Sequence, residues 1–514
     1  MCYVEAAKRV LFYRVLQDSG SISKSVAKAL DSATGDVVGK VTVGYQSWFS
    51  AAGDGSPSNS WNHDNLEMWP DQREYTTLYS GTPFGQSGVA KPGFTGNLGN
   101  GQPAKMFSAY DQSTVNLHFS WMQQYGIDCA ALQRFANEIT PGSTIKAQRD
   151  GMGQKVMSAA QNTGVKFYIM YDVSGWGNLA AIESDWTNTI VNTLHLTSSS
   201  AYAKQNGMPV ICIYGLGYAN HPSSPSDALS CINWFKSQGL YVIGSVPGQW
   251  RTGTGDARSD FGGVWPAFNM ISAWAVGRAV DASYQPWVTG DLAYCNANGM
   301  DYQPCAYPGT AFYNTNGPPS QKNGFPRNHG DFMWSQFAVM KNAGVKSMYI
   351  AMFDEMNEAT SIFKCAEDST KIPAGQYFLT LDADGTHVSS DFYLRLVQDG
   401  GKMIKGQIPY TTTEPTPFIV SPPIANGTYK IVSRNSGYVL DAQGAATVNG
   451  TPIQQYGYNV EQTSNGLLPV WGTVSIKLSV YKAGAQLMLP VSPRPRVPEL
   501  NYGITMQEQT NHGL

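Results

Sequence analysis

The chain has 514 residues, a formal net charge of −3 and only 14% charged residues. That balance excludes the basic field through which proteins hold nucleic acid or an anionic membrane surface. No apolar run reaches the ~18 residues that span a bilayer.

Residues 1–38 read as a short helix and a Ser-rich lead-in. The stretch from Met1 to Tyr13 includes Glu5, Lys8 and Arg9, where a secretory signal needs a continuous apolar segment. Either the protein is not exported or this start is not its true one. From Lys40 a rhythm of short apolar strands and amphipathic helices begins. The strands predicted are 40–45, 126–135, 165–172, 208–217, 240–248, 267–277, 299–309 and 345–355. Helical period fills 113–125, 151–164, 178–196, 227–239 and 331–344, and Gly126, Gly164, Gly207, Gly239 and Gly344 stand where a helix should stop. Eight strands alternating with helices over 39–407 predict a (β/α)8 TIM barrel with long strand-to-helix loops. Its structural competitor, a doubly wound open sheet, lacks a GxGxxG after the first strand. Pro304 and Pro308 interrupt the seventh strand, and 391–404 reads as a closing helix.

The loops after the strands carry rings, acids and glycine. The first brings Trp48, Trp61 and His63, the fourth Tyr214 and His221, the fifth Trp250 and Arg251, the sixth Trp274 and Arg278. Asp128 falls within the second strand and Asp172 ends the third. Each ring taken singly suits a core as well as a ligand platform; their recurrence at successive strand ends points to a site. The seven cysteines form no CxxC pair and no metal-ligand spacing, so neither a metal nor another cofactor is expected. Cys295 and Cys305 bracket a loop that an oxidising compartment could bridge; Cys129 and Cys212 read as core.

The last predicted strand stops in acids: Asp354, Glu355 and Glu358. Glu355 and Glu358 are three apart, so one helix-like turn would bring their Cβ atoms to about 5–6 Å. Paired carboxyls divide acid and base roles, as glycoside hydrolysis usually needs; acids also collect at helix N-termini for dipole reasons alone. Asp354, adjacent along the strand, should point the other way and orient its surroundings.

Residues 408–425, rich in Thr and Pro, read as a stiff linker. The stretch 426–459 has short strands and Asn-Gly turns, predicting a small all-β unit, and the alternation is lost in an irregular tail over 460–514. Residues 426–459 resemble one repeat of a ricin B-type β-trefoil lectin through Leu440-Asp441 and Ile453-Gln454-Gln455-Tyr456. That resemblance implies that Asp441, Gln454 and Tyr456 hold a sugar, in a trefoil that is incomplete because three repeats are needed. Codons allowed for residues 499–513, read two bases later, spell Ala-Gln-Leu-Trp-Asp-Tyr-Asn-Ala-Gly-Thr-Asn-Gln-Pro-Trp, which is lectin-repeat sequence. A shifted reading frame after about residue 459 is therefore expected.

Residues 41–405 resemble the glycoside hydrolase family 71/99-like proteins, often labelled xylosidase/arabinosidase. The motifs are Gly44-Tyr45-Gln46 with Trp48-Phe49, Trp61-Asn-His63, Gly126-Ile-Asp128, Met170-Tyr-Asp172, Val246-Pro with Trp250-Arg251, and Met352-Phe-Asp-Glu-Met-Asn-Glu358. Family 99 has Glu-Trp-His-Glu where this chain has Glu355-Met356-Asn357-Glu358, so its mannoside preference need not carry over. The resemblance implies Glu355 and Glu358 as the catalytic pair: Glu355 takes the proton of the substrate 2-hydroxyl, which attacks C1 to give a 1,2-anhydro sugar, while Glu358 protonates the leaving oxygen. Substrate contacts are expected from Tyr45, Trp48, Trp61, His63, Asp128, Asp172, Trp250 and Arg251. The expectation is a secreted hydrolase of α-linked oligo- or polysaccharide with a lectin-like appendage. A non-catalytic carbohydrate-binding barrel and an ordinary double-displacement glycosidase stand as alternatives, and sugar, linkage and oligomeric state stay open.

Overall fold

The computed structural model describes residues 32–63, 65–81, 85–86, 89–90 and 96–419, together with strands at 429–433, 439–442, 453–456 and 504–508. The N-terminal lead-in up to residue 31 and most of the predicted irregular tail lie outside them. The chain divides into two compact units, Met1–Val420 and Ser421–Leu514.

The first unit is a (β/α)8 barrel. Its strands are β1 (Val41–Tyr45), β2 (Cys129–Phe135), β3 (Lys166–Asp172), β4 (Met208–Tyr214), β5 (Tyr241–Val246), β6 (Met270–Ala273), β7 in two pieces (Asp301–Tyr302 and Cys305–Ala306) and β8 (Met348–Ile350). Every lateral pairing between them is parallel. These are the near-continuous apolar runs that a parallel sheet covered on both faces requires.

Closure happens at β7. Its first piece pairs with β6 (Asp301↔Met270) and its second with β8 (Cys305↔Tyr349). Gln303 N still donates to Ile271 O at 2.9 Å, whereas Pro304 has no N–H and contributes only its carbonyl, to Tyr349 N at 3.0 Å. The single predicted strand 299–309 is thus broken by its proline, and the break lets one strand join both edges of the sheet. Val41↔Met348 and Thr42↔Cys129 set β1 between β8 and β2. Side chains fill the interior: a Cβ added at Gly44 would lie 2.2 Å from Met352 Cε and from Tyr349 Oη. The barrel is a packed core, not a pore.

Helices α1 (Gln112–Gln124), α2 (Thr144–Thr163), α3 (Ala180–Asp185), α4 (Pro225–Ser237), α5 (Tyr284–Ala297), α6 (Asp331–Ala343) and α7 (Phe392–Ile404) surround it. Local chemistry sets their ends. Ser143 and Ser224 accept the backbone amides of Lys146 and Asp227 as N-caps, with Pro225 opening α4. Gly164 closes α2 at φ 78°, a conformation costly for other residues. Within the predicted helix 178–196, α3 passes at Trp186 into a π-helical turn to Val191. Helix α5 is missing from the sequence reading: its apolar positions are too scattered to give a clear stripe. Between β5 and β6 the described residues form only 3-10 turns, Ser259–Phe261 and Trp265–Ala267.

Two further expectations are corrected. Cys295, on α5, and Cys305, in β7, are separate buried thiols, not a bridge. The Thr/Pro stretch does not stand free over 409–419. Trp334 Nε1 donates to Thr411 O (3.1 Å), Thr416 Oγ1 to Asp399 Oδ2 (3.0 Å) and Ser389 N to Phe418 O (2.9 Å).

In the second unit four strands pair antiparallel in the order Ile453–Tyr456, Val439–Ala442, Tyr429–Ser433, Ile504–Glu508. Among its described residues the unit is all β, as expected. Asp441 stands opposite Gln454 and Val439 opposite Tyr456. Ile504–Glu508 supplies a strand from within the tail read as irregular.

Candidate active site

Glu355 and Glu358 occupy the turn that follows β8, at the end of the barrel where the strand-to-helix loops gather. Regular pairing ends at Ile350, so residues 351–360 form an irregular turn instead of the predicted strand end and helical turn. Two loops hold it. On the β1 side, Met356 O accepts Glu67 N (2.9 Å) and Met68 N (3.2 Å), while Asn357 Nδ2 donates to the carbonyls of His63 (3.1 Å) and Asn65 (2.8 Å). On the β7 side, Glu358 O accepts Ala311 N (3.0 Å) and Thr310 Oγ1 (2.7 Å).

Successive acids point apart, as strand alternation predicts. Asp354 is buried and accepts the backbone amides of Gln46 and Ser47, each at 2.8 Å. Burial pushes its carboxyl up to about 7 against those two bonds. It anchors the exit of β1, the orienting role expected of it. Glu355 turns the other way, toward the side-chain amide of Gln46 and the hydroxyl of Thr360 (3.4 Å).

Burial drives the Glu355 carboxyl well above the ordinary range and the Glu358 charge adds to the shift, while the Gln46 and Thr360 bonds oppose it. Burial also raises Glu358, which is half-buried. Two interacting carboxyls in one low-dielectric site titrate as a pair, each resisting ionisation while the other is charged.

A third carboxyl belongs to the group. Asp172, at the end of β3, accepts Ser174 N and Gln133 Nε2, both at 2.8 Å, and burial raises its pKa. Tyr214, ending β4, links it to the pair. Burial raises the Tyr214 phenol, and the charges of Asp172, Glu358 and Glu355 push the same way. The phenol therefore stays a proton donor among acids. Beside it stand Trp274 (centroids 5.2 Å apart) and Tyr218 (5.5 Å). Trp48 is sandwiched between His63 (3.9 Å) and Phe135 (5.5 Å) in near-parallel stacks. Burial, aided by the Arg149 charge, lowers His63 to about 3, so its imidazole is neutral.

Of the expected site residues, Glu355, Glu358 and Asp172 share one electrostatic neighbourhood. His63 and Trp48 join them through the Asn357 clamp and the ring stack; Trp61, in the same loop, packs on Phe49. Four others lie elsewhere. Tyr45 points outward, fully buried, with its hydroxyl 3.0 Å from His118 Nδ1 on α1. Alternation at the strand end gives the inward place to Gln46. Asp128 precedes β2 at the opposite rim of the barrel, accepting Val41 N (2.8 Å) and Lys405 Nζ (2.6 Å). Trp250 is buried with Nε1 on Asp291 Oδ2 (2.8 Å), and Arg251 pairs with Asp291 Oδ1 (3.0 Å). This loop is clamped to α5, the helix the sequence did not reveal. The side chains of Asp441, Gln454 and Tyr456 lie outside the described residues.

Sequence reasoning left out Gln46, Gln133 and Thr360. Only Gln46 had a usable signal, its position one residue past an outward-facing Tyr. Among the described residues no cluster of His, Cys, Asp and Glu is arranged to hold a metal ion. A surface recess of about 390 Å³, lined by Val280, Phe325, Asp331 and Phe332 among others, includes neither glutamate.

Residues 371–456 match the family described as Ricin-type beta-trefoil lectin domain-like. The match begins in the barrel's last loop and runs through α7, so its lectin-like part is the portion within the second unit. Among solved structures, the chain is similar to the GH99 endo-alpha-mannosidase from Bacteroides thetaiotaomicron, with TM-score 0.52 and 13% identity over 72% of this chain and 98% of that one. The same enzyme in complex with Bis-Tris propane gives TM-score 0.52 and 12% identity, again over 72% and 98%. At such identities the likeness is one of fold. No curated protein matches the chain.

Proposed function

We propose that this chain is a glycoside hydrolase acting on an α-linked glycan, with Glu355 and Glu358 as its catalytic carboxyls and its lectin-like unit holding polysaccharide. A secreted location belongs to the same reading. The observation that carries it is the interacting acid pair on the turn after β8, Glu355 buried and Glu358 half-buried, with Tyr214, Trp274 and the Trp48–His63 stack nearby. The barrel fold shared with an endo-alpha-mannosidase and the lectin-like sequence support a saccharide ligand.

In the mechanism the family resemblance implies, ionised Glu355 takes the proton of the sugar 2-hydroxyl as that oxygen bonds to C1. The C1–leaving-group bond breaks, and Glu358 supplies its proton to the departing oxygen. Water then opens the 1,2-anhydro ring at C1, giving its proton to Glu358, while Glu355 returns a proton to O2. Configuration at C1 is retained. The chemistry needs one proton shared by the pair, and the upward shift of both carboxyls supports that sharing.

A second reading exchanges the roles. Glu355 is the more deeply buried carboxyl, and burial favours its neutral form, so the resting proton sits on Glu355 and suits it as the acid. Glu355→Gln and Glu358→Gln should each lose turnover of an α-linked oligosaccharide by about 100- to 10,000-fold while still binding it. Wild-type turnover in either variant overturns the proposal. Aryl α-glycosides with good leaving groups separate the two readings, because the variant lacking the acid retains turnover on them and the variant lacking the base does not.

A further inference from the structure

Arg327 lies between β7 and α6 with its guanidinium buried. Its Nη2 donates to the carbonyls of Ala359 (2.8 Å) and Ser361 (2.7 Å) and lies 3.0 Å from Met68 Sδ, while the guanidinium plane covers the Tyr393 ring at 4.5 Å. Among the described residues no carboxylate lies within ion-pair distance of Arg327, and its Nε and Nη1 are buried without hydrogen-bond partners. A permanent charge buried against carbonyls and a ring is costly. The chain also makes room for it, since a Cβ at Gly309 would lie 2.8 Å from Arg327 Cγ and 2.6 Å from Phe325 O.

What the guanidinium grips is the exit of the acid turn. Ala359 and Ser361 flank Thr360, whose hydroxyl reaches Glu355; Ser361 N donates to Glu355 O at 3.1 Å. Ala359 directly follows Glu358 and sits at φ 55°, a left-handed conformation unfavourable for alanine. One donor group thus fixes both neighbours of Thr360, and through them the attitude of Glu355 on one side and Glu358 on the other.

We infer that Arg327 is a positioning residue of the acid pair: by bridging the Ala359 and Ser361 carbonyls it holds Glu355 and Glu358 at their working separation. This rests on the glycosidase reading of the site, so its test includes a readout independent of turnover. Arg327→Met keeps an apolar stem against Met68 and Tyr393 but has no donor, whereas Arg327→Lys keeps a cation able to reach both carbonyls. The carboxyl carbons of 13C-labelled glutamate, followed by NMR from pH 4 to 9, report how far apart the two protonation steps of the pair lie.

In Arg327→Met the steps should draw together and kcat on an α-linked oligosaccharide should fall about 100-fold, with KM within about threefold. Arg327→Lys should restore the wild-type separation. Folded Arg327→Met with wild-type steps and wild-type kcat overturns the inference. If Arg327→Met does not fold, Thr360→Val, which cuts the hydroxyl link to Glu355, must draw the steps together; unchanged steps there overturn it as well. Should the wild-type chain cleave no glycan, the titration still decides the positioning role and the glycosidase reading alone falls.

Discussion

Asn357, seated between the two glutamates, donates its side-chain amide to the carbonyl of His63 at 3.1 Å. A residue of the turn after β8 thereby holds the loop that follows β1, and the Trp48–His63 stack takes its place relative to the acids from that clamp. Asn357→Ala removes both this bond and the one to Asn65. It should cost about 1–3 kcal/mol of unfolding free energy by leaving two carbonyls without their donor. Turnover of an α-linked oligosaccharide should fall about tenfold or more. Wild-type kinetics in the variant would show that the loop is placed without the clamp.

Asp354 gives a pH-dependent signature. Its carboxyl is raised to about 7 by burial, against about 3.9 in an unfolded chain. Between those values the folded protein holds a proton that the unfolded chain has released, so this group's stabilising contribution is full below about pH 3.9 and is lost as pH rises toward 7. The difference in unfolding free energy between wild type and Asp354→Asn should move against the wild type by about 3 kcal/mol from pH 4 to pH 7. Denaturant titrations across that range check it, and parallel curves sink it.

His118 acts in the opposite sense. It is fully buried between the hydroxyls of Tyr45 (3.0 Å) and Tyr75 (2.9 Å), and burial lowers it to about 3. Below about pH 6.5 the unfolded chain takes up a proton that the folded imidazole refuses, so stability present at neutral pH is lost as pH falls toward 3. Wild type should lose about 3 kcal/mol more than His118→Gln between pH 7.5 and 4.5. Equal losses in the two proteins would remove the histidine from the acid response.

The resemblance of 426–459 to a lectin repeat implies that Asp441, which pairs with Gln454 in the backbone register, holds a sugar. Asp441→Ala in the full chain should weaken retention on insoluble α-glycan about tenfold and leave kcat on a short soluble substrate unchanged. A sedimentation assay measures the first and reducing-end release the second. Undiminished retention would show that Asp441 does not hold the polysaccharide.

The barrel was legible because its signals are local. Runs such as Val41–Tyr45 and Tyr241–Val246 are short and apolar, and glycines such as Gly164 and Gly344 stop their helices. The acid pair was legible for the same reason, as carboxyls three residues apart directly after an apolar strand. Where a feature depended on distant partners, the reading slipped. Trp250 and Arg251 looked like ligand contacts because Asp291, which holds both, stands on a helix with no clear apolar stripe. Tyr45 looked like a site ring because its neighbours His118 and Phe119 are far along the chain.

The sequence by itself determined the alternation of strands and helices, the acids that follow the last strand, and the lectin-like tail region, since each is written in period, composition and adjacent residues. Only the tertiary structure decided which strand ends face one another. Barrel closure through the broken β7, the clamp from Asn357 to His63, the inward place of Gln46 and the grip of Arg327 all join residues far apart in the chain. Their meeting is fixed by sheet register and close packing, which no local pattern encodes.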